Sequence, residues 1–198
     1  IEKSFRVLEM EENIMKNHMF TCCCRLLEYL RKHDEESYLH SVRVADIAGR
    51  IAEGYGLDAS AMPDLRVTGL LHDIGKLGVP SEILQKPGRL TDVEYMTVKR
   101  HTTLGYVILQ KFDFPEHICE VALNHHERPD GTGYAKKTDL SVFSRIICAA
   151  DCMDVMMHGR SYAAAKSTSE IRADFLANSA RQFDPAVADA CIRILVRG

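Results

Sequence analysis

Apolar residues recur along most of the chain at spacings of three and four, the pattern of helices that bury one face. At the N-terminus, Ile1, Phe5, Leu8, Glu12, Met15, Met19, Cys22, Leu26 and Tyr29 follow alternating steps of four and three. This heptad-like stripe, broken by the charged Glu12, predicts an entry helix over residues 1–33. The stripe has two readings: a signalling or dimerising linker from an upstream module, or a helix packed on its own domain. The first residue is Ile rather than Met, which adds the expectation of an upstream segment. Further helices are predicted over 37–54, 62–73, 91–111, 115–126, 141–158, 167–178 and 185–196. Thr91 precedes Glu94 and Ser167 precedes Glu170 with capping-box spacing, and Asp184 stands directly before Pro185. No alternating strand pattern of useful length competes. The expected fold is therefore an all-α helical bundle with one domain over 34–198. Two connections bearing glycine and proline, 78–90 and 128–140, are longer than ordinary helix links and become candidates for the walls of a site.

A length of 198 residues suits a single domain, or one with a short appendage. With 25 basic and 28 acidic residues the net charge is only −3, so no broad attraction to a nucleic-acid polymer or an anionic membrane is expected. An anionic ligand would need a local site. No apolar run approaches the roughly 18 residues of a membrane span, and no signal-peptide pattern stands at the N-terminus. The seven cysteines include the run Cys22, Cys23 and Cys24, a poor disulfide framework, and a reducing cytoplasm is the simpler expectation. Cys148 and Cys152 flank Asp151 at helical spacing. They read first as small buried apolar residues and only second as thiolate ligands.

The densest chemistry is the segment Leu70-Leu71-His72-Asp73-Ile74-Gly75-Lys76. Adjacent residues on a helix point about 100° apart, so His72 and Asp73 reach two metal ions, or one ion from two directions. Lys76, three residues past Asp73, is expected on the same face, where it would meet phosphate. His40, His101, His125, His126 and Asp151 fall at helix ends or polar faces from which the same cluster could be completed. Imidazoles and carboxylates without cysteine suit iron, manganese, zinc or nickel, and Asp73 is the favoured bridge between two ions. Such a pair, roughly 3.5–4 Å apart, makes hydroxide available at neutral pH for in-line attack on phosphorus. Glu36, four residues before His40, would bring a further carboxylate and a third ion, or else is a solvated member of the acidic run Asp34, Glu35, Glu36.

These residues resemble the HD-GYP subgroup of HD-domain phosphohydrolases from about residue 38 to 185. The matching segments begin with His40-Ser41-Val42-Arg43-Val44-Ala45, Leu71-His72-Asp73-Ile74-Gly75-Lys76, Lys86-Pro87-Gly88-Arg89-Leu90-Thr91 and Lys99-Arg100-His101-Thr102. The most specific is His125-His126-Glu127-Arg128-Pro129-Asp130-Gly131-Thr132-Gly133-Tyr134. Ala149-Ala150-Asp151 with Asp154, and Arg160-Ser161-Tyr162, complete the set. The resemblance implies a helical, metal-dependent phosphodiesterase that opens cyclic di-GMP to pGpG and, in some members, goes on to GMP. It implies two or three divalent ions, often iron, held by His40, His72, Asp73, His101, His125, His126 and Asp151, with Glu36 as the extra ligand of three-metal members. Lys76 matches a lysine that contacts phosphate, and Arg160 a basic residue that helps hold the substrate. An upstream sensory domain, a GGDEF-type partner and a homodimer belong to the same set of expectations.

Within the Gly131-Thr132-Gly133-Tyr134 loop the glycines are expected to permit positive φ and close backbone approach, while Tyr134 stacks on a base or packs the loop. Three positions depart from the family. Ala135 stands where a signature proline belongs, Pro129 replaces the usual tryptophan, and Ala163 replaces a second basic residue. The first two should loosen or reshape the loop; the third weakens phosphate binding unless Lys166, one turn on, substitutes. Two other readings therefore stand beside cyclic di-GMP hydrolysis: turnover of a different cyclic or linear nucleotide, and a non-catalytic dinucleotide receptor.

Overall fold

Several helix starts fall where a side chain satisfies free N–H groups of the first turn, at Asp34, Thr91, Ser141, Ser167 and Asp184. The computed structural model describes the backbone of residues 2–159 and 164–197 and the side chains of 18–159 and 164–196. Arg160, Ser161, Tyr162 and Ala163 lie outside the described residues, as do the side chains of Phe5, Leu8, Glu12 and Met15. In chain order the helices are α1 (Glu2–His33), α2 (Glu35–Tyr55), α3 (Met62–Leu71), α4 (Ser81–Leu84), α5 (Asp92–Lys99), α6 (His101–Lys111), α7 (Glu116–Asn124), α8 (Val142–His158), α9 (Thr168–Ala177) and α10 (Pro185–Arg197). Both predicted capping boxes form, at Thr91 with Glu94 and at Ser167 with Glu170. Asp184 caps α10 by accepting from the N–H groups of Ala186 and Val187 at 3.0 and 3.2 Å. No strand occurs among the described residues.

Two differences from the predicted helices bear directly on the site. The helix expected over 62–73 stops at Leu71, and after Asp73 the chain tightens into a 3-10 turn, Ile74–Gly78, in which the Lys76 N–H donates to the Asp73 carbonyl at 2.9 Å. The helix expected over 91–111 breaks at Arg100, whose N–H turns back to the Thr97 carbonyl three residues earlier. His101 thus opens a helix of its own.

The core lies in two clusters. The larger joins α2 and α8, through Val44, Ile47, Ile51, Ile146, Ile147 and Met153, to α9 and α10. The smaller joins the C-terminal half of α1 to Leu71, Ile74, Leu109 and Ile118. Leu26 and Leu30 are the α1 anchors, and burying each contributes about 2 kcal/mol. The second half of α1 therefore packs on its own domain. Tyr29, expected on the buried stripe, is 60% exposed, and Leu30 takes its place, because a helix of 3.6 residues per turn drifts away from a strict heptad.

Gly75 sets how closely these layers meet. A Cβ at this position would lie 1.8 Å from the His101 carbonyl oxygen and 2.4 Å from the Gly105 nitrogen. Only a residue without a side chain lets the turn after Asp73 lie against the first turn of α6, which brings Asp73 up to His101.

Candidate metal centre

His40 comes from α2, His72 and Asp73 from the end of α3, His101 from the start of α6, His125 and His126 from the end of α7, and Asp151 from α8. All are buried except His126, which is half-buried. Asp73 sits at the centre. Its Oδ1 lies 3.2 Å from His101 Nε2 and 3.8 Å from His125 Nε2, while its Oδ2 lies 3.4 Å from His72 Nε2 and 3.8 Å from His40 Nε2. Asp151 closes the other side, with Oδ1 at 3.1 Å from His40 Nε2 and Oδ2 at 3.9 Å from His126 Nδ1. Three sets of donors, His101/His125/His126, His40/His72/Asp151 and His72/Asp73/His125, each bring their ligand atoms within 4.8 Å of one another.

The imidazoles are aimed by their second nitrogens. Nδ1 donates to the Gly69 carbonyl in His72 (2.8 Å), to Val98 in His101 (2.6 Å) and to Ala122 in His125 (3.0 Å). A carbonyl only accepts, so these contacts fix the proton on Nδ1 and turn the Nε2 lone pair into the cluster. In His40 the partner is a carboxylate, Asp154 Oδ2, at 2.7 Å. Two consequences point to a site for a cation. His40 Nε2 and His72 Nε2 are buried with no hydrogen-bond partner, for the Asp151 contact, although short, lacks hydrogen-bond geometry. His101 Nε2 and His125 Nε2 face each other at 3.2 Å, two lone pairs in contact unless a positive charge lies between them. The donor set therefore fits divalent metal.

Electrostatics agree. Burial would raise the Asp73 carboxyl, but Lys76, at 2.6 Å from its Oδ2, and His72 hold it well below the usual carboxylate range. Asp151 is likewise held low against its burial by His40. Burial pushes His126 down to about 4 and His125 well below the ordinary histidine value, which keeps both neutral and able to ligate. His40 is opposed by burial but raised to about 9 by the carboxylates of Asp151 and Asp154, so a metal ion bound there would compete with a proton.

The cluster forms the floor of a cavity of about 540 Å³ whose walls include Lys76, Tyr95 and Tyr134. Residues of both long connections, Gly88 to Leu90 and Tyr134, line it, as their lengths suggested. Tyr134 lies against His126 with ring centroids 4.7 Å apart, and Lys99 Nζ sits 4.3 Å from its ring centroid. A second cavity of about 580 Å³ shares Lys76 and Leu90 with the first.

The sequence model described as "HD domain" matches residues 25–187. The chain belongs to the HD-domain family. It is 36% identical over 166 residues to the cyclic di-GMP phosphodiesterase of Thermotoga maritima, covering 81% of this chain and 45% of that protein. It is 39% identical over 138 residues to the 3'3'-cGAMP-specific phosphodiesterase 1 of Vibrio cholerae, covering 68% and 32%. The chain thus spans less than half the length of these curated relatives. Among solved structures, the HD domain of the L. monocytogenes phosphodiesterase PgpH in complex with cyclic-di-AMP superposes with a TM-score of 0.66 at 20% identity, covering 86% of this chain and 95% of that one.

Within this HD domain several sequence expectations fall elsewhere. Glu36 stands apart from the cluster, 74% exposed and paired with Arg43 at 2.9 Å. Lys166 pairs with Asp174 and lines neither cavity among the described residues. No cysteine joins a candidate metal group among the described residues, and Cys152 Sγ accepts from Gln182 Nε2 at 3.1 Å. The Ala135 N–H donates to the buried Glu127 Oε1 at 2.6 Å, a bond a proline could not make. Lys137 N–H donates to Oε2 of the same carboxylate at 2.9 Å. Gly133 makes the expected close approach, 2.5 Å from an added Cβ to Glu127 Cα, and Gly131 takes φ +73°.

Sequence reasoning assigned no role to Glu127, Tyr95, Asp154 or Arg43, three of which it met only as parts of matching segments. The last two carried a signal, since Asp154 lies three residues after Asp151 and Arg43 three after His40. Asp154 also accepts from Arg43 Nε at 2.7 Å. Asp154→Asn should reduce metal affinity by about 10–100-fold, the usual effect of losing a carboxylate behind a ligating histidine. His40 would also lose a group that raises it. A gain in metal affinity with rising pH is expected to continue up to about 9 in the parent protein and to level off at lower pH in the variant. Metal titrations at several pH values read both effects, and an unchanged affinity and pH profile would remove Asp154 from this role.

Proposed function

We propose that this HD domain is a metal-dependent phosphodiesterase that opens cyclic di-GMP to pGpG. The observation that carries this reading is the Asp73 carboxylate, with one oxygen turned to His101 and His125 and the other to His40 and His72. Such a carboxylate suits a bridge between two divalent ions, and we take iron as the first choice, with manganese, nickel or zinc as alternatives. When bound, such ions acidify water and neutralise phosphate charge. His40, His72 and Asp151 would hold one ion, and His101, His125 and His126 the other. A third ion would require Glu36 to leave Arg43.

The protein's own groups supply the rest. Lys76 Nζ, buried beside Asp73, places a positive charge at the cavity floor for a non-bridging phosphate oxygen. Tyr134 offers a ring face for a nucleobase, its hydroxyl kept protonated by burial and by the neighbouring Tyr95. Arg160, outside the described residues, is the further candidate for substrate phosphate. In this reading α1 leads to a sensory module while its second half stays packed on the domain.

Similarity to a 3'3'-cGAMP-specific enzyme favours one competing substrate. Anaerobic turnover of cyclic di-GMP, 3'3'-cGAMP and pGpG by the iron- or manganese-loaded protein separates the readings. A preference of about tenfold or more in kcat/KM for cyclic di-GMP is expected. A preference for 3'3'-cGAMP would replace the substrate, and binding without any product would make the domain a receptor.

A further inference from the structure

Residues 87–90 form a short strap fixed at both ends by one carboxylate. Glu94 accepts from Lys86 Nζ at 2.8 and 2.7 Å on one side of the strap. On the other side it accepts from the Thr91 N–H at 2.7 Å and the Thr91 hydroxyl at 2.9 Å. Between these ties Gly88, at φ +103°, turns the chain, and Leu90 is half-buried. Arg89 is thus presented from an anchored backbone.

It is presented to the wall of the cavity floored by Asp73 and Asp151. Among the described residues lining that cavity, Lys76 and Arg89 are the permanent cations. They differ in how they are used. Lys76 is committed to Asp73 at 2.6 Å. Arg89 makes no hydrogen bond or ion pair with any described residue, not even with Asp92 on the same wall, so its guanidinium is available to a ligand.

A cyclic dinucleotide is closed by two phosphodiesters, each carrying one negative charge. Holding one beside Lys76 and the histidine cluster leaves the other across the ring, at the cavity wall, in need of a cation. A planar guanidinium matches the two non-bridging oxygens of a phosphodiester with paired donors. We propose that Arg89 holds the phosphate that is not being cut, and so makes the site select a doubly charged ring over a single phosphodiester. This rests on the dinucleotide reading above.

The test compares Arg89→Ala, Arg89→Lys and the parent protein, all metal-loaded, on cyclic di-GMP and on bis(p-nitrophenyl) phosphate, which has one phosphodiester. Arg89 is exposed, and thermal melts verify that the variants fold. Arg89→Ala should raise KM for cyclic di-GMP about tenfold with kcat within about twofold, the loss expected of one charge-assisted contact. Its loss on the single diester should be at least about fivefold smaller, and Arg89→Lys should recover part of the affinity. Equal losses on both substrates, or an unchanged KM for cyclic di-GMP, overturn the proposal. If the parent protein cleaves only the single diester, the hydrolytic reading fails for dinucleotides, and Arg89 is then judged by calorimetric binding of cyclic di-GMP. A tenfold weaker Kd in Arg89→Ala upholds the contact, and a Kd within twofold, or no binding by the parent protein, overturns it.

Discussion

Asp73→Ala is expected to lower turnover by about 10³-fold or more, equivalent to about 4 kcal/mol of transition-state stabilisation, and to strip metal from the protein. The size of the effect follows from position. One side chain reaches four imidazoles and Lys76, so its removal deprives both halves of the cluster at once. It also leaves the buried Lys76 ammonium unpaired, which disfavours a second cation nearby. Asp73→Asn keeps the volume and separates shape from charge; it should lose metal almost as fully. Metal content per chain, steady-state turnover and a circular dichroism spectrum together decide the matter. Undiminished turnover in a folded Asp73→Ala protein would end the proposed mechanism.

Gly75→Ala, a change of one methyl group, should be the most damaging substitution among residues that carry no chemistry. Its Cβ would meet the His101 carbonyl at 1.8 Å and the Gly105 nitrogen at 2.4 Å, backbone atoms that no rotamer can move. The turn and α6 must separate, at a cost of about 3 kcal/mol, the upper part of the range for overpacking. For a chain of this size that lowers Tm by about 6–12 °C. Because the same separation draws His101 away from Asp73 Oδ1, now 3.2 Å from its Nε2, metal retention should fall with stability. Thermal unfolding with a metal assay checks both, and a Tm within about 2 °C of the parent protein would mean that the layers yield more easily than this packing implies.

The helices were legible because their signals are local. Thr91 with Glu94, Ser167 with Glu170 and Asp184 before Pro185 each name a first turn, and the structure places caps at all three. The convergence of His40, His72, Asp73, His101, His125, His126 and Asp151 was legible for a different reason: several buried ligand types on apolar helices have few ways to be satisfied except together. What stayed hidden depends on partners distant in sequence or on small changes of hydrogen-bond register. The break at Arg100 is a shift to a bond three residues back, which periodicity does not encode. Glu36 shares a helix with His40, yet Arg43 claims its carboxylate. At position 135 the family pattern suggested a weakness, whereas the amide that alanine retains secures the loop to Glu127.

The carbonyls behind His72, His101 and His125 belong to Gly69, Val98 and Ala122, each three residues earlier in the chain. A ring oriented by its own preceding turn keeps its direction whether or not an ion is present. Little reorganisation is then left for the moment of binding, and the empty and loaded forms should differ in charge more than in shape. A centre prepared in this way would impose its own geometry on an arriving ion, so the fold itself would take part in the choice among metals.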